Sequence, residues 1–252
     1  MITTSLHNHS TWSDGGADIA AMAIAAKAAG LKTFGISDHW VMLPGNCHFD
    51  IEWSIHPERL DSYFQECLEV KKQVETEHFT MRIGVEVDFF PENWRENMAH
   101  LANYPFDYTI GAIHNLDGFP VDSSPDPWLA LEQDAINDIW RKYWRRLQAL
   151  AETRAFTIIA HFDLPKKFGF RPTVDLDSEI TAALQAVRNS GAQLELNTAG
   201  WSKPCAESYP SPSLLKRALS LGIPILITAD AHAPKHVNRD FDKAARLLDS
   251  LA

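Results

Sequence analysis

Seven short β-branched runs, each leading into a longer amphipathic stretch, set the strongest constraint on what this chain can fold into. The strand-like runs cover residues 3–8, 33–38, 81–88, 108–113, 157–160, 193–197 and 224–228. The helix-like runs cover 18–29, 57–77, 92–102, 128–152, 178–189, 213–221 and 241–251. Gly30, Gly191 and Gly222 stop three of the helices, and Pro57 opens one in the turn where no N–H is needed. Regular alternation of this kind predicts a parallel sheet, because parallel neighbours require a crossover connection. No Pro-, Ser- or Gly-rich linker separates the units. The expectation is therefore one α/β domain over residues 1–252, its seven units closed into a (β/α)7 TIM-like barrel. The competing arrangement is an open doubly wound sheet. No GxGxxG or GxxxxGKS/T follows any strand run, which weakens its nucleotide-binding versions.

Composition narrows the partners. Hydrophobic residues make up 45% and charged residues 22%, a balance that excludes a mainly disordered, collagen-like or disulfide-scaffold chain. The formal net charge of −10 argues against nucleic acid or an anionic membrane as the main partner. A small phosphorylated ligand stays open, because a few local cations outweigh diffuse surface charge. The three cysteines, Cys47, Cys67 and Cys205, show no CxxC spacing, so neither a thiolate zinc site nor a disulfide framework is expected. No apolar run reaches membrane-span length, and candidate functional residues begin at His7, leaving no room for a signal peptide. The expected location is the cytoplasm. Oligomeric state is not legible.

Histidine is the residue whose placement carries the chemistry. In parallel α/β barrels, reactive groups gather at the C-terminal ends of the strands. His7, His9, His39, His114, His161 and His232 all stand there, six of the chain's 11 histidines. Glu86, Asp88, Glu195, Asn197 and Asp230 stand at the same ends. His7 and His9 are two apart on a strand, so their side chains share a face and can grip one ion. Asp230 and His232 share the relation. Imidazole and carboxylate without cysteine suit a catalytic site for zinc, iron or manganese. The donors outnumber what one four-coordinate ion can use, which points to a multinuclear cluster of divalent metals sharing a bridging carboxylate. Singly, a strand-end histidine such as His161 is more often a hydrogen-bonded structural residue, and the His7–His9 pair divides evenly; convergence of all of them on one rim is what favours metal. His48, His56, His78, His100 and His236 fall outside the strand ends and read as surface residues. Asp175 and Asp177 look like the DxD of aspartyl-phosphate phosphatases, but they open a helix and suit its N-terminal charge. The apolar stripe over 128–150 reads as a core-facing helix.

The motifs HNHSTWSDG, ISDHW, the Glu86 strand, AIH, HFD and ITADAH, in this order along the whole chain, resemble the series of the PHP (polymerase and histidinol phosphatase) domain family. The segments HFDLPKKFG, ELNTAGW, KPCAESYPS and ADAHAPKHV are similar to its histidinol-phosphate phosphatase branch. The resemblance implies the PHP fold, a distorted seven-unit barrel with metals at the strand C-termini. It implies one metal on His7, His9, Glu86 and Asp230, and a second on Glu86, His114 and His161. A third would use Asp14, His39 and His232. It also implies substrate contacts from Lys166, Lys167, Arg171, Asn197 and Lys203.

The implied reaction is hydrolysis of L-histidinol phosphate to L-histidinol and phosphate by a metal-bridging hydroxide, a step of histidine biosynthesis. Asp230 or His232 would assist the leaving alkoxide. A PHP phosphoesterase acting on another small phosphomonoester or a nucleotide is the alternative. A metal-dependent amidohydrolase fits less well, since that class bridges its metals with a carbamylated lysine and no strand end here carries one. A non-enzymatic metal-binding module also fits less well, since nearly all the ligands are kept.

Overall fold

A computed structural model describes residues 2–45 and 51–251. The chain runs through β1 (Thr4–Ser5), α1 (Ile19–Ala28), β2 (Thr33–Ile36), β3 (His39–Trp40), α2 (Leu60–Val74), β4 (Thr80–Asp88) and α3 (Trp94–Leu101). It continues through β5 (Tyr108–Ala112), β6 (Asn115–Leu116), β7 (Phe119–Pro120), α4 (Asp126–Leu129), α5 (Gln133–Glu152) and β8 (Ile158–Ile159). It ends with α6 (Asp177–Ser190), β9 (Gln193–Asn197), α7 (Pro212–Ser220), β10 (Ile225–Thr228) and α8 (Phe241–Leu251). Local signals explain the helix ends. Asp18 caps α1 by accepting from the Ala21 N–H at 2.7 Å, and Gly191 takes the left-handed turn after α6 at φ +80°.

The main sheet is parallel throughout, in the order β1-β2-β4-β5-β8-β9-β10, with β3 also pairing β4. β2 and β3 follow one another along the same neighbour, so the sheet has seven positions around its circumference, as the alternation predicts. Closure is made by a single parallel bridge between Asn8 and Ala231, with the His9 N–H donating to the Ala231 carbonyl at 2.9 Å. The barrel is thus nearly closed, and its seam lies beside the candidate site.

The lumen is filled by Tyr108, Ile110, Ala112, Ile158 and Ala160, against which Leu6 and Leu226 pack. Tyr108 plugs it: its single hydroxyl proton is shared between the carbonyls of Leu6 (2.5 Å) and Ile36 (3.1 Å). Gly35 and Gly84 make room, since a Cβ on either would overlap the tyrosine side chain. The larger apolar cluster lies between the strands and the outer helices and includes the fully buried Trp40 and Trp128.

Two elements differ from expectation. The helix expected over 128–152 is broken into α4 and α5, because Trp128 is pinned by its Nε1–H to the Val121 carbonyl (2.9 Å) and stacked on Phe170. A small antiparallel hairpin, β6–β7, interrupts the β/α alternation, turning on Asp117 and Gly118, both at positive φ. Asp-Gly between short runs is the sequence signal for such a turn. Cys67 and Cys205 are free thiols; Cys47 and His48 lie outside the described residues. Among the described residues no helix is long and apolar enough to cross a membrane.

Candidate metal centre

Glu86, near the end of β4, lies at the middle of the histidine cluster. Its Oε2 is 3.1 Å from His7 Nε2, 3.5 Å from His9 Nε2 and 3.0 Å from His39 Nδ1. Its Oε1 is 3.0 Å from His161 Nε2 and 3.7 Å from His114 Nε2. Asp230 Oδ1 closes the other side, 3.2 Å from His9 Nε2, 3.7 Å from His7 Nε2 and 3.6 Å from His232 Nδ1. Asp14 reaches in from the loop after β1, with Oδ1 3.6 Å from His39 Nε2 and Oδ2 3.1 Å from His232 Nε2. His9 is sandwiched between the rings of His39 and His232, each with its centroid at 4.3 Å. All nine side chains expected to bind metal therefore come together at one barrel mouth.

Three subsets converge tightly enough to surround one cation each: His9, Asp14, His39 and His232; His7, His9 and Asp230; and His39, Glu86 and His114. The first two correspond to the third and first sets implied by the family resemblance. The last exchanges His161 for His39, because Glu86 touches both rings.

Burial provides the test of whether a cation fits. His7 Nε2, both nitrogens of His9, Glu86 Oε2, His114 Nδ1 and His161 Nδ1 are buried with no hydrogen bond. An unsatisfied buried polar atom costs about 1–3 kcal/mol, so a cluster of them needs a compensating ligand. The imidazoles divide: burial opposes charge on His7, His39, His161 and His232, but the facing carboxylates raise all four above the ordinary imidazole range, and a bound cation would displace those protons. Burial and then the charges of His232 and His39 lower His9 to about 3, and burial lowers His114 to about 4. Both stay neutral with lone pairs available at physiological pH. Burial opposes the charge on Glu86 and Asp230, yet neighbouring imidazoles, His7 first, hold both well below the usual carboxylate range. The donors are hard and borderline N and O groups, as zinc, iron and manganese prefer.

The backbone is bent to present these groups. Asp230 (φ +47°) and His161 (φ +22°) both occupy positive φ, which non-glycine residues adopt at a cost and which clusters at functional sites. The loop carrying Asp14 is tied down by Asp38. That buried carboxylate accepts from the Ser10 N–H (2.7 Å), the Ser10 hydroxyl (2.8 Å) and the Ser13 hydroxyl (2.6 Å). A cavity of about 950 Å³ opens onto Asp14, His39 and His114, walled by Trp53 and Phe90 with Lys167 at its edge.

The five expected substrate contacts divide. Lys167 lines the cavity, its Nζ donating to the Asp122 carbonyl (2.6 Å) and carboxylate (2.9 Å). Lys203 is exposed, and its pKa is lowered by desolvation and by Lys167, with Asp230 acting in the opposite sense. These two stand toward the metal side. Lys166 does not. It is fully buried, and its Nζ is consumed by Asp163 (2.7 Å), Glu207 (3.0 Å) and the Ser208 carbonyl (2.7 Å). Asn197 is also fully buried, donating to Glu195 (3.1 Å) and Asp230 (3.0 Å) and accepting from the Ala199 N–H (2.8 Å). Arg171 is exposed and paired with Glu207 at 3.2 Å. For Lys166 and Asn197 the expectation is corrected: every polar atom that could meet a substrate already has a partner. Glu195, with no role expected from sequence beyond its strand end, emerges as the hub behind His7.

A nearly closed parallel barrel whose strand ends deliver imidazoles and carboxylates to one mouth defines a class of metal-site α/β barrels. The sequence pattern of the PHP domain matches residues 5–199. The chain belongs to the PHP domain family. It is 34% identical over 225 residues to a Deinococcus radiodurans protein named probable histidinol-phosphatase, covering 88% of this chain and 83% of that one. It is 23% identical over 235 residues to a Schizosaccharomyces pombe protein of the same name, covering 87% and 76% respectively. The fold matches a crystal structure of histidinol phosphate phosphatase from Lactococcus lactis complexed with zinc, L-histidinol and phosphate. That match has a TM-score of 0.81 at 20% identity and covers 99% of this chain and 94% of the other.

Proposed function

We propose that this protein is a divalent-metal-dependent phosphomonoesterase that hydrolyses L-histidinol phosphate to L-histidinol and phosphate. The observation that carries the reading is the buried, hydrogen-bond-starved cluster centred on Glu86, in a chain 34% identical to a named histidinol-phosphatase. His7, His9, Asp14, His39, Glu86, His114, His161, Asp230 and His232 would hold two or three ions of zinc, iron or manganese. When bound, these ions supply Lewis acidity, acidifying water at the site and offsetting charge on the phosphoryl oxygens.

The chain's own groups do the rest. Lys203 and Lys167 attract the phosphate dianion and orient it for in-line displacement, adding to the positive field of the mouth. Trp53 and Phe90 wall the cavity that would receive the organic portion. As the ester P–O bond breaks, the proton given up by the attacking water passes through the Asp230 carboxylate or the His232 ring to the alkoxide oxygen, which leaves as the alcohol. The reading involves direct hydrolysis, with no phosphoenzyme. The reading treats residues 1–252 as one catalytic domain with a small phosphorylated substrate and no nucleic-acid or membrane partner. It assigns the protein to the cytoplasm, where thiols such as Cys67 and Cys205 stay reduced.

The test is phosphate release from L-histidinol phosphate and from a generic phosphomonoester, using protein loaded in turn with zinc, iron or manganese. Preference for histidinol phosphate supports the reading. Equal or faster release from the generic ester removes the substrate assignment, and fewer than two metal equivalents under every loading condition removes the cluster.

A further inference from the structure

Glu195 and Asn197 stand two apart on β9, so their side chains share a face, and neither is exposed to solvent. Glu195 Oε1 accepts from His7 Nδ1 at 2.5 Å and from the Thr228 hydroxyl at 2.6 Å. Its Oε2 accepts from the His161 N–H at 2.7 Å and from Asn197 Nδ2 at 3.1 Å. A carboxylate offers about four lone-pair positions, and here each has a donor. Glu195 therefore has no capacity left to bind an ion itself.

Its effect on His7 follows from imidazole chemistry. A ring nitrogen that donates to a carboxylate keeps its proton, which leaves the other nitrogen bare. In the neutral ring His7 Nε2 is that bare atom; it faces Glu86 Oε2 at 3.1 Å and Asp230 Oδ1 at 3.7 Å, buried and without a hydrogen bond. The same carboxylate reaches the His161 amide on one side and, through Asn197 Nδ2, Asp230 Oδ2 (3.0 Å) on the other. Ligand-bearing ends of three strands thus refer to one buried anion.

We propose that Glu195 is a positioning residue that fixes the tautomer and orientation of His7, aiming its Nε2 at the metal. The proposal rests on the reading of His7 as a metal ligand. Carboxylates placed in this way typically change metal affinity 10–100-fold when removed.

The experiment measures zinc retention against a competing chelator in wild-type protein, Glu195→Gln, His7→Ala and the double variant. Glu195→Gln alone is expected to weaken retention about 10–100-fold. In the His7→Ala background it should add no more than about twofold, because the group it acts through is gone. Equal losses in both backgrounds, or none in the first, overturn the proposal. If Glu195→Gln does not fold, the imidazole nitrogen resonances of zinc-loaded wild-type protein decide: a proton on His7 Nδ1 supports the proposal, and one on Nε2 overturns it. Wild-type protein that holds no zinc, iron or manganese would instead remove the metal reading, and this proposal with it.

Discussion

At the residue scale, Asp230 combines the demands of the site. Its Oδ2 is held by Asn197, its Oδ1 faces His7 and His9, and its backbone sits at positive φ. Asp230→Asn keeps the shape but removes the charge that faces the imidazoles. Turnover should fall at least about a hundredfold, with lower metal content and an unchanged far-ultraviolet circular dichroism spectrum. Retention of the full rate and metal content would refute its role. Lys166 and Lys203, both expected from sequence to meet substrate, should behave oppositely. Lys166→Ala strands the buried Asp163 carboxylate and should cost about 3–5 kcal/mol in urea unfolding. Lys203→Ala should leave stability within about 0.5 kcal/mol and raise KM about tenfold, a loss of roughly 1.4 kcal/mol in binding. If Lys166→Ala is the variant with normal stability and raised KM, the burial argument for Lys166 fails.

At the element scale, the barrel mouth depends on how its lumen is filled. Tyr108 fits only because β2 and β4 each place a glycine against it, Gly35 and Gly84. Gly84→Ala should therefore overpack the lumen and destabilise by about 1–3 kcal/mol, read as a lower denaturant midpoint at constant slope. Replacing Tyr108 with Leu in the same chain should relieve part of that cost. An unchanged midpoint for Gly84→Ala would mean that the ring moves aside freely. The elements also show why periodicity alone stops short. β1 and β8 are two residues each, far shorter than their apolar runs, because closure is completed by loop backbone such as the Asn8–Ala231 bridge. The break between α4 and α5 is equally silent in the pattern, since it depends on Trp128 reaching the Val121 carbonyl and the Phe170 ring.

At the scale of the whole molecule, the metal centre joins strands that are distant in sequence, so binding should stabilise the fold as well as activate it. His7 and Asp230 meet across the seam where the first and last strand positions close the barrel. A ligand present at about a hundred times its Kd and bound only by the native state adds roughly 2.7 kcal/mol. For a domain of this size that corresponds to about 5–10 °C in Tm. Chelator treatment should lower the thermal midpoint by that amount, and zinc added back should restore it. A midpoint indifferent to both would disconnect the cluster from metal. The net charge of −10 takes on a local meaning here, because part of it is carboxylate at the mouth that cations would neutralise.

By itself the sequence determined the seven-unit alternation, the parallel class and the residue types at the strand ends. Period-2 and period-3.6 patterns report which way a side chain faces, and chain order reports which strand it ends. Convergence of the strand-end candidate ligands was legible for that reason, whereas Asp14, in the loop after β1, came only from the family resemblance. Tertiary structure alone decided which polar residues are spent on one another. Lys166 and Lys167 are adjacent in sequence, yet one is sealed among Asp163, Glu207 and Ser208 while the other borders the cavity. Asn197 and Glu195 read as rim residues but lie beneath the rim: Glu195 is saturated by donors from His7, His161, Asn197 and Thr228, and Asn197 is spent on Glu195, Asp230 and the Ala199 amide. A hydrogen bond depends on distance and angle between groups separated by more than 180 residues, as for His7 and Glu195, and no local pattern encodes that.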